Sequence, residues 1–210
     1  MHGYFDRLGR SILPLLVVVA AALVFAQTPF AQTAADCVDG NGLTQIGSEA
    51  DDVQIGSPCD DMQRGGPGND VERGFGGRDD QGGGDGNDTL DGGDGNDRET
   101  GGAGNDLLRG GAGADVITGR DGLDVLRGDA GNDRLSGDTG NDSIAGGDGN
   151  DDITGGTGND KISGGNGRDA IHARDHQKDT IRCGPDRDRV IADAIDSVSR
   201  DCESVSVRRG

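Results

Sequence analysis

Aspartate recurs at every ninth position through the middle of this 210-residue chain, and glycines surround each copy. Clear copies read GGDGNDTLD at 83–91, GGAGNDLLR at 101–109 and GGTGNDKIS at 155–163. Carboxylate and backbone carbonyl oxygens are the ligands that a hard cation such as Ca²⁺ prefers, and glycine lets a backbone approach an ion closely. The residues that could bind a metal are therefore the repeated aspartates, Asp70, Asp79, Asp88, Asp97, Asp106, Asp115, Asp124, Asp133, Asp142, Asp151, Asp160 and Asp169.

The nine-residue unit begins at Gly65 and runs twelve times without a gap, to residue 172. Glycine fills the first and fourth places in every copy, and the eighth place is Leu or Ile in nine copies. Side chains alternate along a strand, so place eight is predicted to point inward from three extended residues, places seven to nine. The exceptions, Glu72, Gln81 and Glu99, predict the weakest packing in the first four copies.

Composition excludes several classes of protein. Glycine supplies 42 residues, the hydrophobic residues only 30% and the aromatic residues 2%, so an ordinary large core cannot form. The net charge of −19 argues against nucleic-acid binding, which needs basic residues. Low hydrophobicity with high charge also fits a disordered linker, but disorder does not require twelve aspartates in register. Glycine does not recur at every third residue, which excludes collagen.

The repeat G-G-x-G-x-D-x-U-x, where U is Leu or Ile, resembles the RTX or haemolysin-type calcium-binding repeats of secreted bacterial proteins. The resemblance covers residues 65–172 and implies an all-β fold, a parallel β-roll (β-solenoid) with 18 residues per coil. It also implies that each Ca²⁺ lies between turns one coil apart, held by the sixth-place aspartates of both turns and by loop carbonyls. About ten sites result, each pairing one of the aspartates from Asp70 to Asp151 with the aspartate 18 residues later.

Calcium is expected to be required for folding. Aspartates stacked about one strand spacing apart repel each other by about 1 kcal/mol per pair even in water. One inward aliphatic residue per nine makes a core too thin to offset the chain entropy by itself. Bound cations would remove the repulsion and supply the missing stability.

The first 35 residues read as a secretory signal peptide. Arg7 and Arg10 precede an apolar run at 12–26, and small and polar residues follow, the usual order of such signals. Cleavage is predicted after Ala26 or Ala35. An uncleaved anchor is the alternative, but the run is shorter than the roughly 20 residues of a membrane span and contains Pro14. The mature protein is therefore predicted to be secreted, without a stable membrane span.

Two caps are predicted to flank the roll, at 36–64 and 173–210. The first keeps the nine-residue phase without the full set of glycines. After residue 172 one extra residue shifts the phase, and three further strands are predicted at 179–181, 188–190 and 196–198. Such caps cover the open edges of a solenoid.

The four cysteines occur only in these caps. An even number of cysteines in an exported protein suggests disulfides, and we predict local pairs, Cys37–Cys59 and Cys183–Cys202, because their spacings are close to one coil. A four-cysteine metal site is the alternative, but the sequence has no CxxC motif.

No enzyme is predicted. His172 and His176 are four residues apart but lack the glutamate of an HExxH zinc site, and no nucleophile–base pair is evident. The sequence favours a non-enzymatic structural or binding role. The alternatives are adhesion to a cell surface or matrix, ice binding, and an accessory module of an exoenzyme or toxin.

Overall fold

The structure, a computed structural model, describes residues 42–208. Nineteen strands and no helix lie in this range, and they form two parallel sheets of ten and nine strands. Successive strands alternate between the two sheets, and each strand pairs with the strand one coil later in the chain. The predicted all-β fold, a parallel β-roll, is confirmed.

The odd-numbered strands form the first sheet. Its strands are β1 Thr44–Ile46, β3 Met62–Pro67, β5 Asp80–Asp85, β7 Arg98–Ala103, β9 Val116–Asp121, β11 Arg134–Thr139, β13 Asp152–Thr157, β15 Ala170–Ala173, β17 Arg189–Asp193 and β19 Ser204–Arg208. The even-numbered strands form the second sheet. Its strands are β2 Val53–Ile55, β4 Val71–Gly76, β6 Thr89–Asp94, β8 Leu107–Ala112, β10 Val125–Ala130, β12 Ser143–Asp148, β14 Lys161–Asn166, β16 Thr180–Arg182 and β18 Ser197–Val198.

Strand register confirms the predicted coil of 18 residues. Leu126 stands beside Ile144 in the neighbouring strand, and the same spacing holds through the repeats. Across the phase shift after residue 172 the spacing is 19, so that Ile181 stands beside Ile162, and in the last two strand pairs it is 17 and 15. The extra residue is absorbed in the loop before β16, and the parallel pairing continues without a break.

From β3 to β14 the strands are six residues long, whereas three extended residues per repeat were predicted. They cover places seven to nine and also places one to three of the next unit, so each turn contains only three residues. The glycine at place two pairs in register with its counterpart one coil away, as Gly93 does with Gly111, so the strand continues into this segment. Place one also faces inward, and glycine there leaves that inner position without a side chain.

The inward column of aliphatic side chains lies where it was predicted. The members of the core are at most 2% exposed: Leu90, Leu108, Ile117, Leu126, Leu135, Ile144, Ile153, Ile162 and Ile171. Ile181 and Val190 continue the core into the C-terminal coils and are fully buried.

The first coils have a polar interior. Glu72, Gln81 and Glu99 are each at most 1% exposed, at the inward positions occupied by Leu or Ile in later coils. Three glutamines are linked along the first sheet, because the Nε2 of Gln63 donates to Gln45 at 2.9 Å and the Nε2 of Gln81 donates to Gln63 at 2.7 Å. Amide hydrogen bonds therefore replace part of the apolar packing at this end.

The last coils are closed by a disulfide between Cys183 and Cys202, as predicted. Cys59 is also disulfide-bonded, while Cys37, its predicted partner, lies outside the described residues, as does the predicted signal peptide. No helix between residues 42 and 208 is long and apolar enough to cross a bilayer.

Candidate metal site

Each repeated aspartate ends a three-residue turn and directly precedes a strand, as Asp88 does between β5 and β6. The turn begins at Gly86, whose φ of +139° is a conformation that side chains disfavour. A Cβ at Gly86 would lie 1.6 Å from the carbonyl oxygen of Gly68 in the preceding coil. Glycine at place four therefore lets the coils stack closely.

One carboxylate oxygen of each aspartate joins two coils. Oδ1 of Asp88 accepts a hydrogen bond from the backbone N–H of Asp70 at 2.8 Å, and the N–H of Asp88 donates to Oδ1 of Asp106 at 2.8 Å. The same bond recurs along both columns as far as Asp169, at 2.8–3.0 Å. The aspartates that were predicted to share an ion are thus direct neighbours.

The other oxygen of each repeat aspartate has no hydrogen-bond partner. All twelve residues are at most 3% exposed, and the Oδ2 atom of every one is buried and unpaired. A buried charge without a partner is strongly unfavourable. These oxygens therefore form two rows of positions at which a cation would relieve an electrostatic cost.

A backbone carbonyl accompanies most of these oxygens. Oδ2 of Asp70 and the carbonyl oxygen of Gly83 lie 2.2 and 2.5 Å from the point that a Cβ on Gly65 would occupy. The same pair of oxygens surrounds Gly128, at 2.3 Å for Asp133 and 2.5 Å for Gly146. Any side chain at place one would fill this cradle of oxygens, which explains why glycine occupies that place in all twelve repeats.

Burial raises the pKa of the repeat aspartates from Asp79 to Asp169 above the ordinary value. Burial, with a smaller contribution from neighbouring carboxylates, raises the pKa of Asp79, Asp115 and Asp142 to about 7. For a second group the pKa is raised to about 6, again chiefly by burial: Asp106, Asp124 and Asp151. The columns thus disfavour negative charge unless a cation balances it.

The potential ligand atoms at these turns suit calcium. Among residues 42–208 there is no cluster of three or more His, Cys, Asp or Glu side chains that could hold a metal, so carboxylates alone do not make a site. Carboxylate oxygens together with backbone carbonyls form an all-oxygen ligand set. Hard cations such as Ca²⁺ prefer such ligands, whereas transition metals favour nitrogen and sulfur ligands.

The other candidate groups do not form a site. His172 lies 3.9 Å from a carboxylate oxygen of Asp152, whereas His176 lies 3.9 Å from one of Asp193. Cys59, Cys183 and Cys202 are disulfide-bonded, which contradicts the four-cysteine metal site considered as an alternative.

Sequence reasoning missed two features of the turns. The columns continue to Asp179 and Asp188, each with a buried and unpaired Oδ2; the aspartate spacing of 19 beyond the phase shift was the available signal. The asparagine at place five also links coils, because Oδ1 of Asn69 accepts the N–H of Asn87 at 2.9 Å, and Asn87 does the same for Asn105 at 2.8 Å.

Comparison with known proteins agrees with this geometry. The model of the RTX calcium-binding nonapeptide repeat matches in four copies, at residues 83–108, 100–135, 127–162 and 146–175. No curated protein matches the sequence. The matched segments contain most of the repeat aspartates and their glycine-rich turns.

Proposed function

Since its repeats make this chain an RTX calcium-binding repeat protein, we propose that it is an exported, non-enzymatic β-roll whose folding depends on calcium. The observation that carries the proposal is the pair of columns of buried aspartates whose Oδ2 atoms have no partner. A chain that must bury so many carboxylates gains most of its stability from the cations that neutralise them.

We assign the ligands to the twelve repeat aspartates, Asp70 to Asp169 at intervals of nine. Each of about ten ions would lie between turns one coil apart and would take oxygens from both aspartates and from loop carbonyls. The carbonyl of Gly83 beside Oδ2 of Asp70 supports this arrangement for the first ion. An interior aspartate such as Asp124 would serve two ions, one shared with Asp106 and one with Asp142.

Circular dichroism of residues 36–210 tests the dependence on calcium. The chelated protein should give a random-coil spectrum and gain β signal as Ca²⁺ is added. Magnesium is the control cation, and it should substitute poorly because it demands a small octahedral shell and loses water reluctantly. A fully folded spectrum in the presence of chelator would refute calcium-dependent folding.

Export is supported by the predicted signal peptide and by the Cys183–Cys202 disulfide, since disulfides persist in oxidising compartments. The protein recovered from the medium of cells that express the full chain should begin at Gln27 or Asp36. Retention inside the cells with an intact N-terminus would contradict export.

The non-enzymatic role is structural or binding, and adhesion to a cell surface or matrix is its alternative form. Adhesion predicts that labelled protein is retained on cells or matrix in calcium and is released by chelator. A folded, calcium-loaded protein that is not retained would count against adhesion and leave the structural role.

A further inference from the structure

The aspartate columns do not end with the glycine-rich repeats. Beyond the phase shift, the backbone N–H of Asp160 donates to Oδ1 of Asp179 at 2.9 Å, and that of Asp169 donates to Oδ1 of Asp188 at 2.8 Å. These are the same contacts, at the same lengths, that join aspartates inside the repeats. The loops that carry Asp179 and Asp188 have nonetheless lost most of the glycines of the repeat.

Asp179 and Asp188 also share the unpaired oxygen of the repeat aspartates. The two residues are 0% and 1% exposed, and each has a buried Oδ2 without a hydrogen-bond partner. Burial of an ionised carboxylate in this state is unfavourable, so these two positions have the same need of a cation as the repeats.

A carbonyl oxygen is also in place for one of the two turns. At Gly164, the point that a Cβ would occupy lies 2.3 Å from Oδ2 of Asp169 and 2.6 Å from the carbonyl oxygen of Cys183. Cys183 thus supplies the carbonyl that a place-one glycine supplies in the repeats. This oxygen is a backbone atom, so the loss of glycine from the sequence does not remove it.

The opposite end of the columns is built differently. Both oxygens of Asp61 are used, because Oδ2 accepts the N–H of Ser57 at 2.5 Å and Oδ1 accepts its hydroxyl at 3.1 Å. Oδ2 of Asp52 likewise accepts the N–H and the hydroxyl of Ser48, at 2.6 and 3.0 Å. Serine donors therefore pair with Oδ2 of the first two aspartates, and no buried, unpaired carboxylate oxygen precedes Asp70 in the described columns.

The C-terminal end stops in a similar way, one coil after Asp179. Oδ1 of Asp196 accepts the N–H of Asp179 at 3.0 Å, and its Oδ2 accepts the N–H of Asp193 at 2.6 Å. The aspartates with an unpaired Oδ2 thus run without interruption from Asp70 to Asp188.

We propose that the calcium columns extend beyond the glycine-rich repeats by two ions, one held between Asp160 and Asp179 and the other between Asp169 and Asp188. The inference rests on the proposed calcium binding of the repeats and raises the count from about ten ions to about twelve. It makes the disulfide-closed end a part of the calcium-binding structure, because Cys183 provides both a ligand carbonyl and the disulfide.

The test is the amount of calcium bound per chain, measured by atomic emission after equilibrium dialysis at the lowest free calcium that saturates the parent protein. Asp179→Asn and Asp188→Asn keep an oxygen for the coil-to-coil hydrogen bond and replace the ligand oxygen by an amide nitrogen. Each variant should lose one ion, and the double variant should lose two. Asp61→Asn is the matched control, a buried aspartate of the same column as Asp188, and it should bind as much calcium as the parent.

Hydrogen exchange locates the loss. In the double variant with calcium, amides of residues 177–190 should lose protection while those of 83–151 keep it, which also shows that the repeats remain folded. A double variant that binds as many ions as the parent, with unchanged protection at 177–190, would overturn the extension and leave the proposed function intact. A parent protein that binds no calcium would overturn both.

Discussion

The first coils and the middle coils of this β-roll have turns of the same structure but different interiors. Through β9 to β14 the inward residues are Leu and Ile, whereas in β3 to β7 four of the five are Gln or Glu. The turn aspartates are equally buried in both regions, and their Oδ1 atoms make the same bonds between coils. Because the coil keeps its shape where the interior is polar, we infer that the turns, and not the apolar core, set that shape.

The polar interior is only partly satisfied. The glutamines of the first sheet are hydrogen-bonded to one another, but both carboxylate oxygens of Glu99 lack a partner, as does Oε1 of Gln81 beside it in register. Unpaired buried polar atoms cost about 1–3 kcal/mol each. The first coils therefore have less stability of their own than the middle coils and depend more on bound calcium.

Loss of an aspartate ligand should lower the free energy of unfolding in the two regions by the most different amounts. Asp124→Ala in the middle removes a ligand from two proposed ions, so folding at fixed calcium should lose about 3–5 kcal/mol, the cost of breaking a buried charge pair. Asp70→Ala at the end should lose about half as much, because Asp52 before it is already satisfied by Ser48. Each variant also loses one coil-to-coil hydrogen bond, from Asp106 or Asp52.

The calcium midpoint of folding, followed by circular dichroism, measures both effects. The midpoint should rise more for Asp124→Ala than for Asp70→Ala. An Asp124→Ala midpoint no higher than that of Asp70→Ala would contradict ligands shared along an 18-residue coil.

A polar residue placed in the apolar region gives the next largest effect. Ile117→Gln should destabilise the calcium-loaded protein by about 2–4 kcal/mol, because it removes buried apolar contacts and adds an amide without a partner. Thr118→Gln, at the outward-facing neighbour in β9, is the matched control and should change stability little. Urea unfolding at saturating calcium compares them, and equal midpoints for the two variants would show that the interior of the middle coils contributes nothing.

Much of this architecture follows from the sequence because the repeat carries it. The period of nine predicts the coil, the inward Leu and Ile residues and the aspartate columns, since one arrangement satisfies all twelve copies. Asp179 and Asp188 were not predicted as members of the columns, because their loops have lost the glycines that identify the repeat, while the backbone atoms around them are retained. The serine donors at Asp52 and Asp61 also could not be predicted, because a hydroxyl near a carboxylate is visible only in three dimensions.

The reverse exchange, from polar to apolar in the first coils, should stabilise the protein. Glu99→Leu removes a buried carboxylate with no partner and restores the residue type found at Leu135, so we expect a gain of about 1–3 kcal/mol. Glu99→Gln is the control that removes the titratable carboxyl group and keeps the shape, and its gain should be smaller. Urea unfolding at saturating calcium measures both, and a loss of stability in Glu99→Leu would mean that the carboxylate has a role in the fold.

The smallest expected effect is on the calcium-free protein at low pH. Burial raises the pKa of Glu72 to about 7 and that of Glu99 well above the ordinary 4.5, and it raises the pKa of Asp79 to about 7. The folded form therefore binds protons more tightly than the unfolded form. The stability gained is complete at a pH below the ordinary pKa values of these groups and is lost as the pH rises through about 7.

Chelated protein should gain some β signal between pH 7.5 and 4.5, with its first protected amides in residues 62–103. Glu99→Leu is the control and should gain less on acidification, whereas calcium-loaded protein should lose affinity because protons compete with the ions. Chelated protein that loses residual structure on acidification would contradict the buried, protonated state of these carboxylates.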